Sequence, residues 1–219
     1  GFIFEPLLQG AAGMIMYSPQ ILSKMIHFCN ENNILTIADE VSTGFGRTGK
    51  YFAADYLTHK PDIICMSKGI TAGVMALGAT SATTQVYNAF LSDDKSKMFL
   101  HGHSYTGNPL ACVVAKASLD LLQEDDTWTA IKRISTQHHQ FVSNVMKHPH
   151  VDDARTLGVV LAVSVKSGSE ESYFNYLRDR LYNFFIHRKI LLRPLGNVIY
   201  IMPPYCIADE ELKMVYTAI

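Results

Sequence analysis

The sequence predicts an α/β protein: a mostly parallel sheet followed by a smaller α/β region. Three observations carry that expectation. Two short apolar runs, 34–38 and 62–66, are bounded by turn signals and rich in isoleucine, the pattern of buried parallel strands. A third run, Phe2–Ile3–Phe4, is joined to the first of these by an amphipathic stretch, giving a strand–helix–strand unit for which a right-handed crossover is expected. Beyond about residue 123, short apolar strands alternate with helical patterns. The expected division is therefore 1–122 for a large domain and 123–219 for a small one.

In chain order, Glu5–Pro6 closes the first strand, and residues 9–13 form a small-residue loop. Ser18–Pro19 starts a helix, with serine as N-cap and proline at the first helical position. Ile21, Leu22, Met25, Ile26 and Cys29 recur at helical spacing until Asn32–Asn33 stops them. The strand over 34–38 ends at Asp39. A glycine-rich loop fills 40–50, and an irregular or helical link fills 51–60. The strand over 62–66 leads to Lys68, and a further strand is expected over 76–82. A helix over about 84–91, a polar loop and the small-residue loop 101–107 follow. Asn108–Pro109 then opens an apolar helix to about Leu122, and Asp125–Asp126–Thr127 caps another to about Lys147. Strands over 159–165, 190–193 and 198–202 and helices over about 170–187 and 208–219 complete the reading.

With 219 residues, 48% apolar and 18% charged, the chain is long enough to bury substantial cores. A formal net charge of −1 gives no electrostatic footprint for nucleic acid or an anionic membrane surface. No apolar run approaches the ~18 residues of a membrane span. Cys29, Cys65, Cys112 and Cys206 are far apart within apolar patterns, and they read as reduced thiols of a cytoplasmic protein. Because the chain opens directly on a strand and closes inside a helical pattern, an internal or C-terminal piece of a longer protein is expected.

Asp39 and Lys68 each follow a buried strand, where open α/β sheets place their ligands. Lys68 is either a surface lysine in a turn or a partly desolvated amine able to attack a carbonyl. Asp39 is either a turn aspartate or a carboxylate awaiting a cationic partner such as a protonated pyridine nitrogen. The stretch Gly44–Lys50 fits the phosphate-loop pattern G-x-x-x-x-G-K. The next residue is Tyr51 rather than the Ser or Thr that magnesium needs, and the loop does not directly follow a strand, so a nucleoside-triphosphate site is rejected. His101 and His103 lack a third ligand at zinc spacing, and the pairs His138–His139 and His148/His150 read as ordinary histidines. Ser104 and Thr106, just before a helix, are weak candidates for donating to a phosphate. Arg193 is either a surface ion-pair partner or a bidentate clamp for a carboxylate. Tyr200, Pro203, Pro204 and Tyr205 either wall a pocket or fill a core.

Five blocks together carry a family resemblance: FEPLLQGAAGM (4–14), ADEVSTGFGRTGKYFA (38–53), PDIICMSKGIT (61–71), HGHSYTGNPLAC (101–112) and LRPLGNVIYIMPPY (192–205). In that order they resemble the class III aminotransferases, pyridoxal-phosphate enzymes of fold type I. The last block, and Ser42 where many relatives carry Gln, are most similar to the biotin-biosynthesis branch of that class. His103 stands where better-known members of that branch carry Pro. The resemblance implies a fold type I transferase, with part of the large domain and the small C-terminal domain present. It implies a cytoplasmic homodimer that uses pyridoxal 5′-phosphate to move an amine from S-adenosylmethionine to 8-amino-7-oxononanoate, giving 7,8-diaminononanoate. Within that family pattern Lys68 would bond covalently to the cofactor and shuttle a proton, and Asp39 would hold the ring nitrogen protonated. Val41 would pack on the ring face. Ser104 would reach the phosphate of the neighbouring subunit, with Gly102 beside it at the substrate. Arg193 would hold the substrate carboxylate and Tyr200 would line its pocket. Two alternatives stand beside this: another class III ω-amine transaminase, mutase or racemase, or a non-catalytic piece lacking the family's N-terminal phosphate cup.

Overall fold

The structure is a computed structural model and describes residues 1–167 and 176–219. Its elements in chain order are β1 (Phe2–Phe4), β2 (Leu8–Gln9), β3 (Ile15–Met16), α1 (Pro19–Glu31), β4 (Thr36–Asp39), β5 (Ile63–Met66), β6 (Ala79–Ala82) and α2 (Thr84–Asn88). There follow α3 (Pro109–Leu122), α4 (Asp125–Val145), β7 (Val151–Leu157), β8 (Val160–Val165), α5 (Leu177–His187), β9 (Val198–Ile201) and α6 (Asp209–Ala218).

One unit gathers Gly1–Pro6, Ser18–Phe45 and Phe52–Gln123. Its sheet has the order β1-β4-β5-β6. The first three strands are parallel, as the apolar runs predict, and β6 is antiparallel to β5. Helix α1 begins where the sequence places it: Ser18 Oγ accepts from Gln20 N at 3.1 Å and Pro19 occupies the first turn. Leu22, Ile26 and Cys29 are its buried stripe, and each fully buried aliphatic side chain contributes about 2 kcal/mol. Asn33 ends the helix with φ +54°, a left-handed conformation that asparagine tolerates. Along β4, Thr36 and Ala38 have no exposed surface while Ile37 and Asp39 are half-buried, so alternate residues face opposite sides. At α3, Asn108 Oδ1 accepts from Ala111 N at 2.9 Å behind Pro109. The expected strand over 76–82 and helix over 84–91 are both shorter than their patterns, at Ala79–Ala82 and Thr84–Asn88.

A second unit gathers Leu7–Tyr17, Gly46–Tyr51 and Glu124–Ile219. Its sheet is antiparallel, β7-β8-β9. Strand β7, with the polar sequence VDDARTL, is not visible in the apolar pattern. The strand expected over 190–193 does not form. Pro194 removes a backbone donor there, and a tight Leu195–Val198 turn with reciprocal 2.9 Å bonds takes its place. The first part of the helix expected over about 170–187 falls outside the described residues; within them α5 spans Leu177–His187. The small-residue loop at 9–13 is the tip of a hairpin, β2–β3. Leu8 and Met14 from that hairpin close a core with Val160, Ala162 and Val198. Arg155 on β7 holds the tip, with Nε donating to Met14 O at 2.8 Å and Nη2 to Gly13 O at 2.5 Å.

His138 anchors α4 in this unit and has no exposed surface. One ring nitrogen, Nε2, faces Val159 O at 3.2 Å and must therefore carry the proton. The other, Nδ1, then accepts from the Tyr216 hydroxyl of α6 at 2.6 Å. Burial pushes the His138 pKa down from its ordinary 6.5 to about 4, although its bond to Val159 opposes that, and the same desolvation pushes the Tyr216 hydroxyl upward.

The unfolded chain thus binds a proton near pH 6.5 that the folded chain takes only near pH 4. Stability is complete above the upper value and falls as pH drops toward the lower one, by about 3 kcal/mol in all for this group. His138→Gln, which keeps a donor for Val159 and does not titrate, is expected to flatten that acid limb. Urea unfolding of both proteins across this pH range measures the difference, and parallel curves would refute the assignment.

Candidate functional site

The C-terminal edge of the parallel sheet is the chemically richest place in the first unit. Asp39 pairs with Cys65 across β4 and β5, and Glu40 N donates to Cys65 O at 2.9 Å. Asp39 and Lys68 therefore leave adjacent strand ends on the same edge. Asp39 Oδ1 accepts from Val41 N at 3.0 Å, a local turn that fixes the carboxylate and half-buries Val41. Among the described residues no donor reaches Asp39 Oδ2.

Glu40 faces the other way, as strand alternation requires. It has no exposed surface, and its carboxylate accepts from Thr43 Oγ1 at 2.5 Å, Ala53 N at 3.1 Å and Ala54 N at 2.7 Å. Burial raises its pKa, against the three bonds that favour the charged form. Sequence reasoning overlooked it. The signal was present: in two consecutive acids at the end of an apolar strand, one must point inward.

Lys68 opens a single helical turn over Lys68–Thr71 with φ +42°. That region is unfavourable for a residue with a Cβ, and conformations of this kind cost about 1–3 kcal/mol unless the surroundings impose them. Here they do. Ser67 Oγ donates to Leu77 O at 2.7 Å, Thr71 Oγ1 to Met75 O at 2.5 Å and Ser118 Oγ on α3 to Gly69 O at 3.3 Å. Gly69 lies so close to Phe45 that a Cβ would come within 2.9 Å of its Cβ and ring. The lysine side chain itself is exposed, and Nζ donates to Ser42 Oγ at 2.8 Å.

The remaining candidates lie in a different loop of the same unit or in the second unit. Gly102 and Ser104 occupy an exposed loop of the same unit, folded by a 3.0 Å bond from His103 N to Thr106 Oγ1. Among the described residues no hydrogen bond links either of them to Asp39 or Lys68. Arg193 and Tyr200 belong to the second unit. Arg193 lines an open pocket of about 400 Å³ with Arg178, Asp179, Tyr182 and Pro194. Tyr200, half-buried on β9, packs against the Leu8–Met14–Val160 core.

The glycine-rich loop Gly46–Tyr51 also lies in the second unit and is committed to protein contacts. Val159 N donates to Arg47 O at 3.0 Å, and Gly49 N to Gly46 O at 3.0 Å. A Cβ on Gly158 would lie 2.3 Å from the Thr48 carbonyl carbon, so the β7–β8 turn admits only glycine against this loop. Arg47 Nη1 reaches Met202 Sδ at 3.3 Å, and Tyr51 packs edge-on against Trp128.

Comparison with known proteins gives a consistent result. A sequence model of the family "Aminotransferase class-III" matches residues 1–219. Over 217 residues the chain is 42% identical to the adenosylmethionine-8-amino-7-oxononanoate aminotransferase of Synechococcus elongatus, covering 99% of this chain and 50% of that protein. The enzyme of the same name from Helicobacter pylori is 41% identical, with 97% and 49% coverage. The crystal structure of the Methanocaldococcus jannaschii enzyme superposes with a TM-score of 0.90 at 34% identity, covering 99% of this chain and 52% of that one. The chain spans about half the length of each of these relatives.

The two neighbouring acids should separate in a stability experiment. Glu40→Ala strands the Ala53 and Ala54 amides in the interior and is expected to cost about 3 kcal/mol. Asp39→Asn keeps an acceptor for Val41 N and is expected to cost less than about 1 kcal/mol. Equilibrium urea unfolding compares them directly, and equal losses would contradict the opposed orientations.

Proposed function

The chain belongs to the class III aminotransferases, and from that premise we propose that the whole protein is a pyridoxal-phosphate enzyme of biotin biosynthesis. In this reading it transfers an amine from S-adenosylmethionine to 8-amino-7-oxononanoate to give 7,8-diaminononanoate. The observation that carries it is the arrangement of Asp39 and Lys68 on adjacent parallel strand ends, the lysine in a tethered left-handed turn. The relatives' shared name supports the choice of substrates.

The residues fit the cofactor. Asp39 has one oxygen fixed by Val41 N and one without a donor among the described residues, which suits acceptance of a hydrogen bond from a protonated ring nitrogen. Val41, half-buried beside it, is assigned to a ring face. When bound, pyridoxal phosphate supplies an electron sink for charge developing on the substrate carbon. The chain's own part is to hold and move protons. Lys68 Nζ would be the covalent anchor and, once released from that bond, would carry a proton from the amine-bearing carbon of the substrate to the cofactor. Ser104, with Gly102 beside it, is assigned to the phosphate and substrate of the neighbouring subunit. Arg193 is assigned to the substrate carboxylate, for which a guanidinium beside a 400 Å³ pocket is suited, and Tyr200 to its lining.

In the same reading 1–122 is part of the large cofactor-binding domain and 123–219 is the small C-terminal domain. The protein is a cytoplasmic homodimer. Support for a dimer comes from large apolar side chains left in solvent in the first unit: Phe99, Leu100, Tyr105, Leu110 and Val113 are each more than 60% exposed. No helix among the described residues is long and apolar enough to cross a membrane.

The full-length polypeptide, supplied with pyridoxal phosphate and both substrates, is expected to form the diamine. Lys68→Ala should lower turnover by about a thousandfold or more. Arg193→Ala should raise KM for the carboxylated ketone about 10- to 100-fold while leaving cofactor binding intact. Absence of diamine while a different amine donor and ketone react would overturn the substrate assignment and favour another ω-amine transaminase.

A further inference from the structure

Lys68 presents a contrast that calls for one more residue. Its backbone is held by its neighbours, but its side chain is long, exposed and carries about 2 kcal/mol of rotamer entropy. Among the described residues, Nζ has a single partner, Ser42 Oγ at 2.8 Å. Ser42 is itself a fixed point. The residue before it, Val41, is tied through its amide to Asp39. The residue after it, Thr43, is fully buried with its hydroxyl on the Glu40 carboxylate, and Gly44 N donates to Glu40 O at 3.0 Å. The turn that carries the hydroxyl is therefore built from the same strand end that carries Asp39.

We propose that Ser42 is the positioning residue of Lys68: its hydroxyl holds the amine at the C-terminal edge of β4 and β5 whenever the lysine carries no covalent partner. The proposal rests on the reading of Lys68 as covalent anchor and proton carrier. The chemistry of a hydroxyl suits the task. Serine has one donor and two acceptor lone pairs. It accepts from an ammonium, and it accepts from or donates to a neutral amine. When Nζ takes a proton from the substrate carbon, Ser42 Oγ keeps an N–H to accept. When Nζ gives that proton up to the carbon that receives it, the bond persists through the neutral amine. A carboxylate in its place would favour the ammonium and oppose the release, and an aliphatic side chain would leave Nζ to water.

The test uses the full-length protein and three substitutions: Ser42→Ala, Ser42→Cys, which keeps the volume but weakens the acceptor, and Ser42→Thr, which keeps the hydroxyl. The first readout is not turnover. Cofactor-free protein is mixed with pyridoxal phosphate, trapped with borohydride at timed intervals, and the adduct at Lys68 is counted by mass spectrometry. Trapping is expected to slow about tenfold in the Ala and Cys variants and to return within about threefold of wild type in the Thr variant. In steady state, kcat should fall about tenfold in Ala and Cys with KM for both substrates nearly unchanged, again rescued by Thr. Thermal midpoints should stay together, since the bond is exposed and contributes little to stability. Wild-type rates of trapping and turnover in Ala or Cys would overturn the positioning role while leaving the parent reading intact. No adduct at Lys68 in any protein, wild type included, would instead overturn the parent reading. A Thr variant as slow as Ala, or a loss shared equally between trapping and thermal midpoint, would reduce Ser42 to a structural role and also overturn the proposal.

Discussion

The Glu40 carboxylate, buried to zero exposure behind the sheet edge, is the constraint from which the rest of the site follows. A carboxylate in an apolar interior is tolerable only when its oxygens are saturated with donors. Thr43, Ala53 and Ala54 meet that demand, and meeting it folds the chain: the 12 residues between Glu40 and Ala53 have to leave the sheet and come back. Because side chains alternate along β4, committing Glu40 inward commits Asp39 to the opposite face. The buried acid thereby aims the available one.

A second constraint operates on β5. Three hydroxyl-to-carbonyl bonds and the Phe45 ring impose the turn that begins at Lys68. Each is worth about 1 kcal/mol net, so together they offset a left-handed lysine that would otherwise relax. Phe45 joins the two halves of the arrangement, since it leaves the loop that Glu40 anchors and seals the turn that Lys68 opens. Carboxylate and amine are thus set by one packed element rather than by two independent loops.

Much of this was legible in the residues. Parallel strands β1, β4 and β5 follow from isoleucine-rich runs between turn signals, and α1 and α3 from Ser18–Pro19 and Asn108–Pro109. Placing Asp39 and Lys68 at strand ends needed only those boundaries. What stayed hidden depends on contacts distant in sequence. Strand β7 is mostly polar and only Ala154 along it is buried, so no apolar run announces it. The hairpin β2–β3 has arms of two residues each, too short for any periodicity. His138 looks like one of several helical histidines until Val159 and Tyr216 are seen to meet its two nitrogens. The Ser42–Lys68 bond is likewise invisible, since spacing along the chain does not reveal which hydroxyl a long flexible amine will find.

The loop from Gly44 to Lys50 shows why a pattern of letters needs its physics. A phosphate loop works because successive backbone N–H groups converge on an empty place at a helix N-terminus. Here the amides of Gly44 and Gly49 turn back onto the chain's own carbonyls, and the Arg47 carbonyl receives Val159 N. The glycines are still required, but for close approach, as the 2.3 Å clearance at Gly158 demonstrates from the other side. Glycine therefore marks places where a backbone must come near something. Only the remaining unsatisfied groups say whether that something is a ligand or the protein itself. By the same reasoning the acceptor left open on Asp39 among the described residues and the exposed amine of Lys68 make the edge of β4 and β5, not the glycine loop, the candidate site.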